Sequence, residues 1–210
     1  MNLNIKKILF CLCLFSVLLT SGQEIEEEDS NSSDWVQDDH FGVFKVGLYV
    51  PLVMGDNFAN KALKQDAGVE VAFMVNIFDS PVLLGVNFNH FHADVVDPQL
   101  VGNYTGADIN SIGPMIGYQV LNDTNWRGTV ALGYGFVKYK NSGKNFDFSD
   151  SGGSLTVAPS MGYHFSRHIG AYGELAFRRD FLNIESPSEL KTFFNGATYI
   201  SFSLGVRIVI

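Results

Sequence analysis

Residues 200–210 read ISFSLGVRIVI, and every second one is large and apolar. Ile200, Phe202, Leu204, Val206, Ile208 and Ile210 fall on one side of an extended chain, and Tyr199, Ser201, Ser203, Gly205 and Arg207 fall on the other. Successive side chains of a strand point to opposite faces, so a period of two marks a strand where a helix would show 3.6. One face of this strand is apolar and uncharged, and the other is small and polar.

The same division is found upstream. Val69, Val71, Phe73, Val75 and Ile77 alternate with Gly68, Glu70, Ala72, Met74 and Asn76. Leu84, Val86 and Phe88 oppose Gly85, Asn87 and Asn89, while Val130, Leu132, Tyr134 and Phe136 oppose Arg127, Thr129, Ala131, Gly133 and Gly135. The pattern recurs over 42–53, 67–78, 82–95, 109–121, 126–139, 154–166, 169–182 and 197–210. Each segment exceeds the roughly ten residues that a tilted strand needs to cross a bilayer. The links alternate in length: 54–65, 96–108, 140–153 and 183–196 are long, and 79–81, 122–125 and 167–168 are short. Such alternation predicts an up-and-down barrel with both termini on the short-turn side. Pro114 and Pro159 each remove one ladder donor from the fourth and sixth segments.

Which face is inside follows from charge. A soluble barrel would put its large apolar groups within and a densely charged skin without. Here the polar face carries only Lys45, Glu70, Arg127, Glu174, Arg178 and Arg207, too few for a water-facing shell. An eight-stranded interior is just wide enough for side chains, which suits Gly, Ala, Ser and Asn. The polar face is therefore the lumen and the apolar face meets lipid, with closure of the sheet satisfying every backbone polar group. The expected fold is all-β: an eight-stranded antiparallel up-and-down transmembrane β-barrel with short periplasmic turns and long extracellular loops.

Three segments, FKVGLYVPL (44–52), IGPMIGYQV (112–120) and ISFSLGVRIVI (200–210), resemble the eight-stranded outer-membrane β-barrel family of Gram-negative bacteria, the small OmpA/OmpX-type barrels. The resemblance covers residues 41–210. It implies a porin-like barrel domain, residence in the outer membrane as a monomer, and contact with outer-membrane lipid and lipopolysaccharide. It also implies that the barrel-assembly machinery reads the terminal strand through Phe202, Leu204, Val206, Ile208 and Ile210. Ile210 departs from the terminal Phe usual in that signal.

The N-terminal residues are an address. Lys6 and Lys7 precede an apolar stretch over 8–20 that is too short to span, and Thr20, Ser21 and Gly22 supply small residues for cleavage, so 1–22 reads as a secretory signal peptide. Both cysteines, Cys11 and Cys13, lie inside it, so the mature chain has neither disulfide nor thiolate metal site. Residues 23–40 read as an acidic disordered leader: Glu24, Glu26, Glu27, Glu28, Asp29, Asp34, Asp38 and Asp39 occur without one Lys or Arg. Loss of the signal takes the net charge from −8 to −10, and the leader accounts for all but −2 of that. Charged residues are 17% of the 210-residue chain, and the mean hydropathy is +0.11. This balance speaks against a nucleic-acid binder, and past residue 22 no apolar run approaches the ~20 residues of a membrane helix.

Candidate chemistry is sparse. Lys45, Glu174 and Arg207 lie at similar heights on neighbouring strands, with Glu70 and Arg178 one layer higher and Arg127 on the fifth segment. Buried charges need partners, so these six predict a lumen-filling charge network. His90 and His92, with Asp94, share the outward face of the third segment at its long-loop end. A His-x-His pair on a strand offers two imidazoles to one metal, although at the rim His serves equally in the interfacial belt. No metal or other cofactor is expected. Some small barrels modify lipids with an outward Ser–His pair, but His164-Phe165-Ser166 lies at the short-turn end and lacks an orienting third group. The expected role is non-enzymatic surface interaction through the extracellular loops. A narrow channel for ions or small solutes, suggested by the inward glycines, is the alternative.

Overall fold

The computed structural model describes residues 41–77, 80–123, 125–143 and 147–210. The signal segment 1–22 and the acidic leader 23–40 lie outside them. In chain order the elements are β1 (Gly42–Met54), α1 (Phe58–Ala62), β2 (Leu63–Gln65), β3 (Gly68–Asn76), β4 (Val82–Val95), α2 (Pro98–Val101), β5 (Tyr104–Asn122), β6 (Trp126–Gly143), β7 (Asp147–His164), β8 (Ile169–Leu182), α3 (Lys191–Phe194) and β9 (Gly196–Val209). Hydrogen-bonded neighbours run β4-β3-β1-β9-β8-β7-β6-β5, and a β4–β5 pairing closes the ring. The result is an eight-stranded antiparallel barrel with the short strand β2 added to β4. Among the described residues no helix is long and apolar enough to cross a membrane.

Period-two alternation governs which face each residue takes. On β9, Phe202, Leu204, Val206, Ile208 and Ile210 are exposed, while Tyr199, Ser201, Ser203 and Arg207 are buried in the lumen. The outward row is apolar around the ring: Val46, Leu48 and Leu52 on β1, Leu84 and Val86 on β4, Ile112 and Ile116 on β5, Leu132 and Phe136 on β6. On β4 this belt ends at Phe88, above which the outward residues are His90, His92 and Asp94. On β5 it ends at Ile112, below Asn110 and Asp108, and on β6 at Phe136, below Lys138 and Lys140. An uncharged apolar girdle around a closed sheet is the surface a bilayer demands. Trp126 and Tyr163 meet edge-on, ring centroids 4.9 Å apart, at its short-turn margin.

Small lumen residues leave room for large ones. Gly47 and Gly205 pair on β1 and β9, and a Cβ on Gly47 would lie 2.6 Å from the Tyr172 hydroxyl. The two prolines interrupt the ladder without shifting it. Opposite Pro114 the β5–β6 pairing passes from Ile112↔Phe136 to Met115↔Gly133, and opposite Pro159 the β7–β8 pairing passes from Val157↔Phe177 to Ser160↔Glu174. Each gap takes the same number of residues from both strands, so register survives.

Two expectations are corrected. Residues 140–143 and 147–153, expected within a long loop, are strand: β6 and β7 pair through Lys140↔Ser149 and Ser142↔Asp147. Likewise β5 begins at Tyr104 rather than 109. Above the lipid belt the outward face meets water, so the apolar alternation fades while backbone pairing continues. The remaining links on that side are also ordered locally, as α1 and β2 before β3, α2 before β5, and α3 before β9. The lumen face, expected to be small and polar throughout, is apolar and aromatic at its upper end. Tyr49, Phe91, Ile109, Val137, Tyr139, Leu182 and Tyr199 pack there with Phe58 of α1 and Leu63 of β2, all buried, and Phe193 and Phe194 of α3 lean on the cluster.

Candidate functional site

The lumen is filled in layers that the alternation of each strand aims inward. Nearest the short turns, Arg127 and Arg207 flank the mouth, each 6% exposed. Arg127 Nη1 donates to the Trp126 carbonyl, and the Arg207 stem lies against Gly162, where a Cβ would approach its Cδ to 3.2 Å. Next comes Lys45, register partner of Arg207, whose Nζ donates to Glu174 Oε2 at 2.5 Å and stands 5.1 Å from the centre of the Tyr172 ring.

Glu70 does not meet Arg178. Its carboxylate accepts from the Ser203 hydroxyl and from Asn87 Nδ2. Asn89 Nδ2 donates to Asn87 Oδ1 at 2.9 Å, and Arg178 Nη1 donates to Asn89 Oδ1 at 2.6 Å. Arg178 then grips Asp180 with two parallel bonds, Nε to Oδ1 at 2.9 Å and Nη2 to Oδ2 at 2.8 Å. Tyr139 donates to the same Asp180 Oδ2 at 2.7 Å and shares a 2.8 Å hydroxyl contact with Tyr199. The guanidinium lies 4.8 Å from the Tyr199 ring centre and 5.5 Å from that of Phe91. Arg178 and Asp180 are 1% and 0% exposed.

Sequence reasoning missed Asp180 and the tyrosines. Asp180 has the parity of Glu174 and Arg178 on one strand, which is the signal that marks it as inward. Above this network the aromatic cluster closes the upper mouth: Phe58 stacks on Phe194 with centroids 6.0 Å apart and meets Tyr139 at 6.0 Å. Two voids in the lumen are about 10 Å³ each, room for one water apiece. One lies among Glu70, Asn87, Asn89, Glu174 and Arg178, the other beside Arg207 and Gln119.

On the outward face above the belt, His90 Nδ1 contacts Asn110 Oδ1 at 2.9 Å and His92 Nδ1 contacts Asp108 Oδ1 at 2.8 Å. His92 Nε2 lies 3.6 Å from Asp94 Oδ1. The bond to Asp108 holds the His92 imidazole above its ordinary pKa; burial opposes it, and the charges of Asp108, Asp94 and Asp66 add to it. Among the described residues no group of three or more His, Cys, Asp or Glu side chains is arranged to hold a metal ion. His164 is buried in the lumen, Phe165 points outward, and the Ser166 hydroxyl accepts from the Ile169 N–H in the short turn between β7 and β8.

A closed eight-stranded ring, an apolar girdle outside and a packed polar and aromatic interior define a small outer-membrane-type β-barrel. No family model and no curated protein matches the sequence. Among solved structures, Neisserial surface protein A superposes with a TM-score of 0.57 at 10% identity, over 80% of this chain and 97% of that one. The N-terminal β-barrel domain of Pseudomonas aeruginosa OprF gives 0.49 at 13% identity, over 82% and 100%. Ail, the attachment invasion locus protein of Yersinia pestis, gives 0.48 at 12% identity, over 81% and 99%. The first of these likenesses establishes the shared fold.

Proposed function

We propose that this chain is a non-conducting, non-enzymatic barrel of the outer membrane that acts by surface interaction through its extracellular rim. The observation that carries this reading is the double closure of the lumen. A buried Arg178–Asp180 pair lies beneath an aromatic cap that α1 and α3 help to build. A permeating ion would have to leave water inside a packed interior, a cost of several kcal/mol per charge after relaxation.

Contacts with lipid and with the assembly apparatus belong to the same reading. Lys138 points outward just above Phe136 and is exposed, and Arg179 points outward on β8 with its Nη1 bonded to Thr198 Oγ1 at 2.7 Å. Both stand where lipopolysaccharide phosphates would lie, and a basic side chain near an anionic surface is worth about 1 kcal/mol. The unbroken apolar row from Phe202 to Ile210 is what the barrel-assembly machinery would read.

Single-channel recording of the full chain in a planar bilayer tests the reading. Insertion without unitary steps is the expected result. Steady steps that change in Glu174→Gln would overturn it in favour of a water path.

A further inference from the structure

The hairpin of β6 and β7 stands higher than the strand beside it. β7 pairs with β6 along its whole length, from Trp126↔Tyr163 to Ser142↔Asp147. On its other side the ladder with β8 begins only at Gly152↔Leu182, and one further bond, Asn183 N–H to the Ser151 carbonyl at 3.4 Å, lies above it. Among the described residues, no strand lies beside 147–151 on that side, so they form a sheet edge, with Asp147, Phe148, Ser149 and Ser151 exposed and Asp150 half-buried.

Odd-numbered residues of β7 bond toward β8. Phe165 N–H meets the Ile169 carbonyl, the Ser151 carbonyl takes Asn183 N–H, and the β8 ladder skips beside Pro159. Bonding direction alternates along an antiparallel strand. Ser149 therefore turns both N–H and C=O to the edge, Ser151 turns its N–H there, and Phe148 and Asp150 are committed to β6.

Elsewhere the chain covers its own protruding edges. β4 rises above β3, and β2 lies along it through Leu63↔Val95, Lys64↔Asp94 and Gln65↔Ala93, continued by Asp66 N–H to the His92 carbonyl at 2.9 Å. β1 rises above β3 beyond Tyr49↔Gly68. There Pro51 blunts the edge, because odd residues of β1 face β3, as the bond from Asn76 N–H to the Phe41 carbonyl shows. After β8, by contrast, Ile184 turns in to pack on the aromatic cap, and the chain leaves the β7 edge behind.

We propose that residues 147–151 of β7 receive an extended, cationic peptide segment of a partner protein as an added strand, as β2 is added to β4. Backbone bonds to Ser149 and Ser151 would hold it, and alternate side chains would read the flanks. Asp147 and Asp150 lie on the edge itself, and Glu185 and Glu189 are exposed on the loop after β8, whereas the nearest cations, Lys138 and Lys140 opposite Ser151 and Ser149, stand on β6, one strand further from the added segment. A second copy would set the same carboxylates beside these, and like charges on neighbouring strands repel. The inference rests on the surface-interaction reading above. Unitary conductance would overturn that reading, whereas the experiment below addresses the edge alone.

The full chain in lipid nanodiscs is titrated with an acetylated octapeptide of alternating Lys and Val, following backbone amide signals. The expected result is binding with the largest shifts at Ser149 and Ser151. Ser149→Pro removes an edge donor and leaves the β6 ladder intact, so it weakens binding about tenfold, the worth of one to two backbone bonds. The same peptide N-methylated at alternate residues loses affinity against the parent protein, which keeps the test valid if Ser149→Pro fails to insert. Equal binding of the methylated peptide, or none by the parent, overturns the proposal. Dimerisation through this edge, seen by sedimentation, overturns it too, since the occupant is then a second copy.

Discussion

Arg178 sits where two environments meet, with Asn89 and Asp180 bonded to its guanidinium and the Tyr199 and Phe91 rings against its face. Removing one member of a buried pair leaves the other charge uncompensated. Asp180→Ala should therefore cost about 3–5 kcal/mol, and the apolar double replacement Arg178→Met with Asp180→Leu should cost less. Urea unfolding of the protein in detergent measures both. His92 makes a smaller statement at the rim. Its pKa is raised by Asp108, so its stabilising contribution is present in full below the ordinary imidazole value of about 6.5 and is lost as pH rises through the raised one. The side chain is 44% exposed, and solvent screening keeps that contribution small. Proton-monitored titration should show the His92 midpoint falling in Asp108→Asn, and an unmoved midpoint would refute the assignment. At this scale parity made the face of each residue legible: Lys45, Glu70, Arg127, Glu174, Arg178 and Arg207 are all inward. Partner choice was not legible, because Glu70 and Arg178 share a face and a height yet find Ser203 and Asp180 instead.

Among the elements, α1 shows how a loop becomes part of the core. Asn57 caps it by accepting the Asn60 N–H, and Phe58 enters the upper mouth at 4% exposed, between Phe194 and Tyr139. Phe58→Ala should cost about 3 kcal/mol by lost burial and the cavity left behind. It should also expose residues 55–67 to limited proteolysis while the barrel strands stay protected. Five residues are too few to display a helical period, so the sequence could not distinguish this segment from an unstructured link. The upper parts of β6 and β7 were illegible for a different reason. Residues 140–143 and 147–151 alternate in no apolar sense because they stand above the apolar belt, and Gly and Ser in that stretch read as turn residues. Only the cross-strand pairing Lys140↔Ser149 reveals them as sheet.

For the barrel as a whole, the polar network and the aromatic cap close one lumen in series. Phe58→Ala should leave the bilayer current silent, because the Arg178–Asp180 layer still blocks the path. Unitary steps should require loss of both layers, and steps from the cap variant alone would show that the lower layer does not seal. The sequence by itself determined that the chain forms eight long antiparallel strands and which face of each is apolar and turned outward. Those properties depend on a side-chain period of two and on the cost of charge in hydrocarbon, both of which act locally along each strand. The tertiary structure alone decided that the loops fold inward to seal the upper mouth, that Arg178 takes Asp180, and that β7 rises above the end of its ladder with β8. These depend on strand stagger and on which side chains meet across a closed ring, and no local pattern encodes distances between residues such as Phe58 and Phe194.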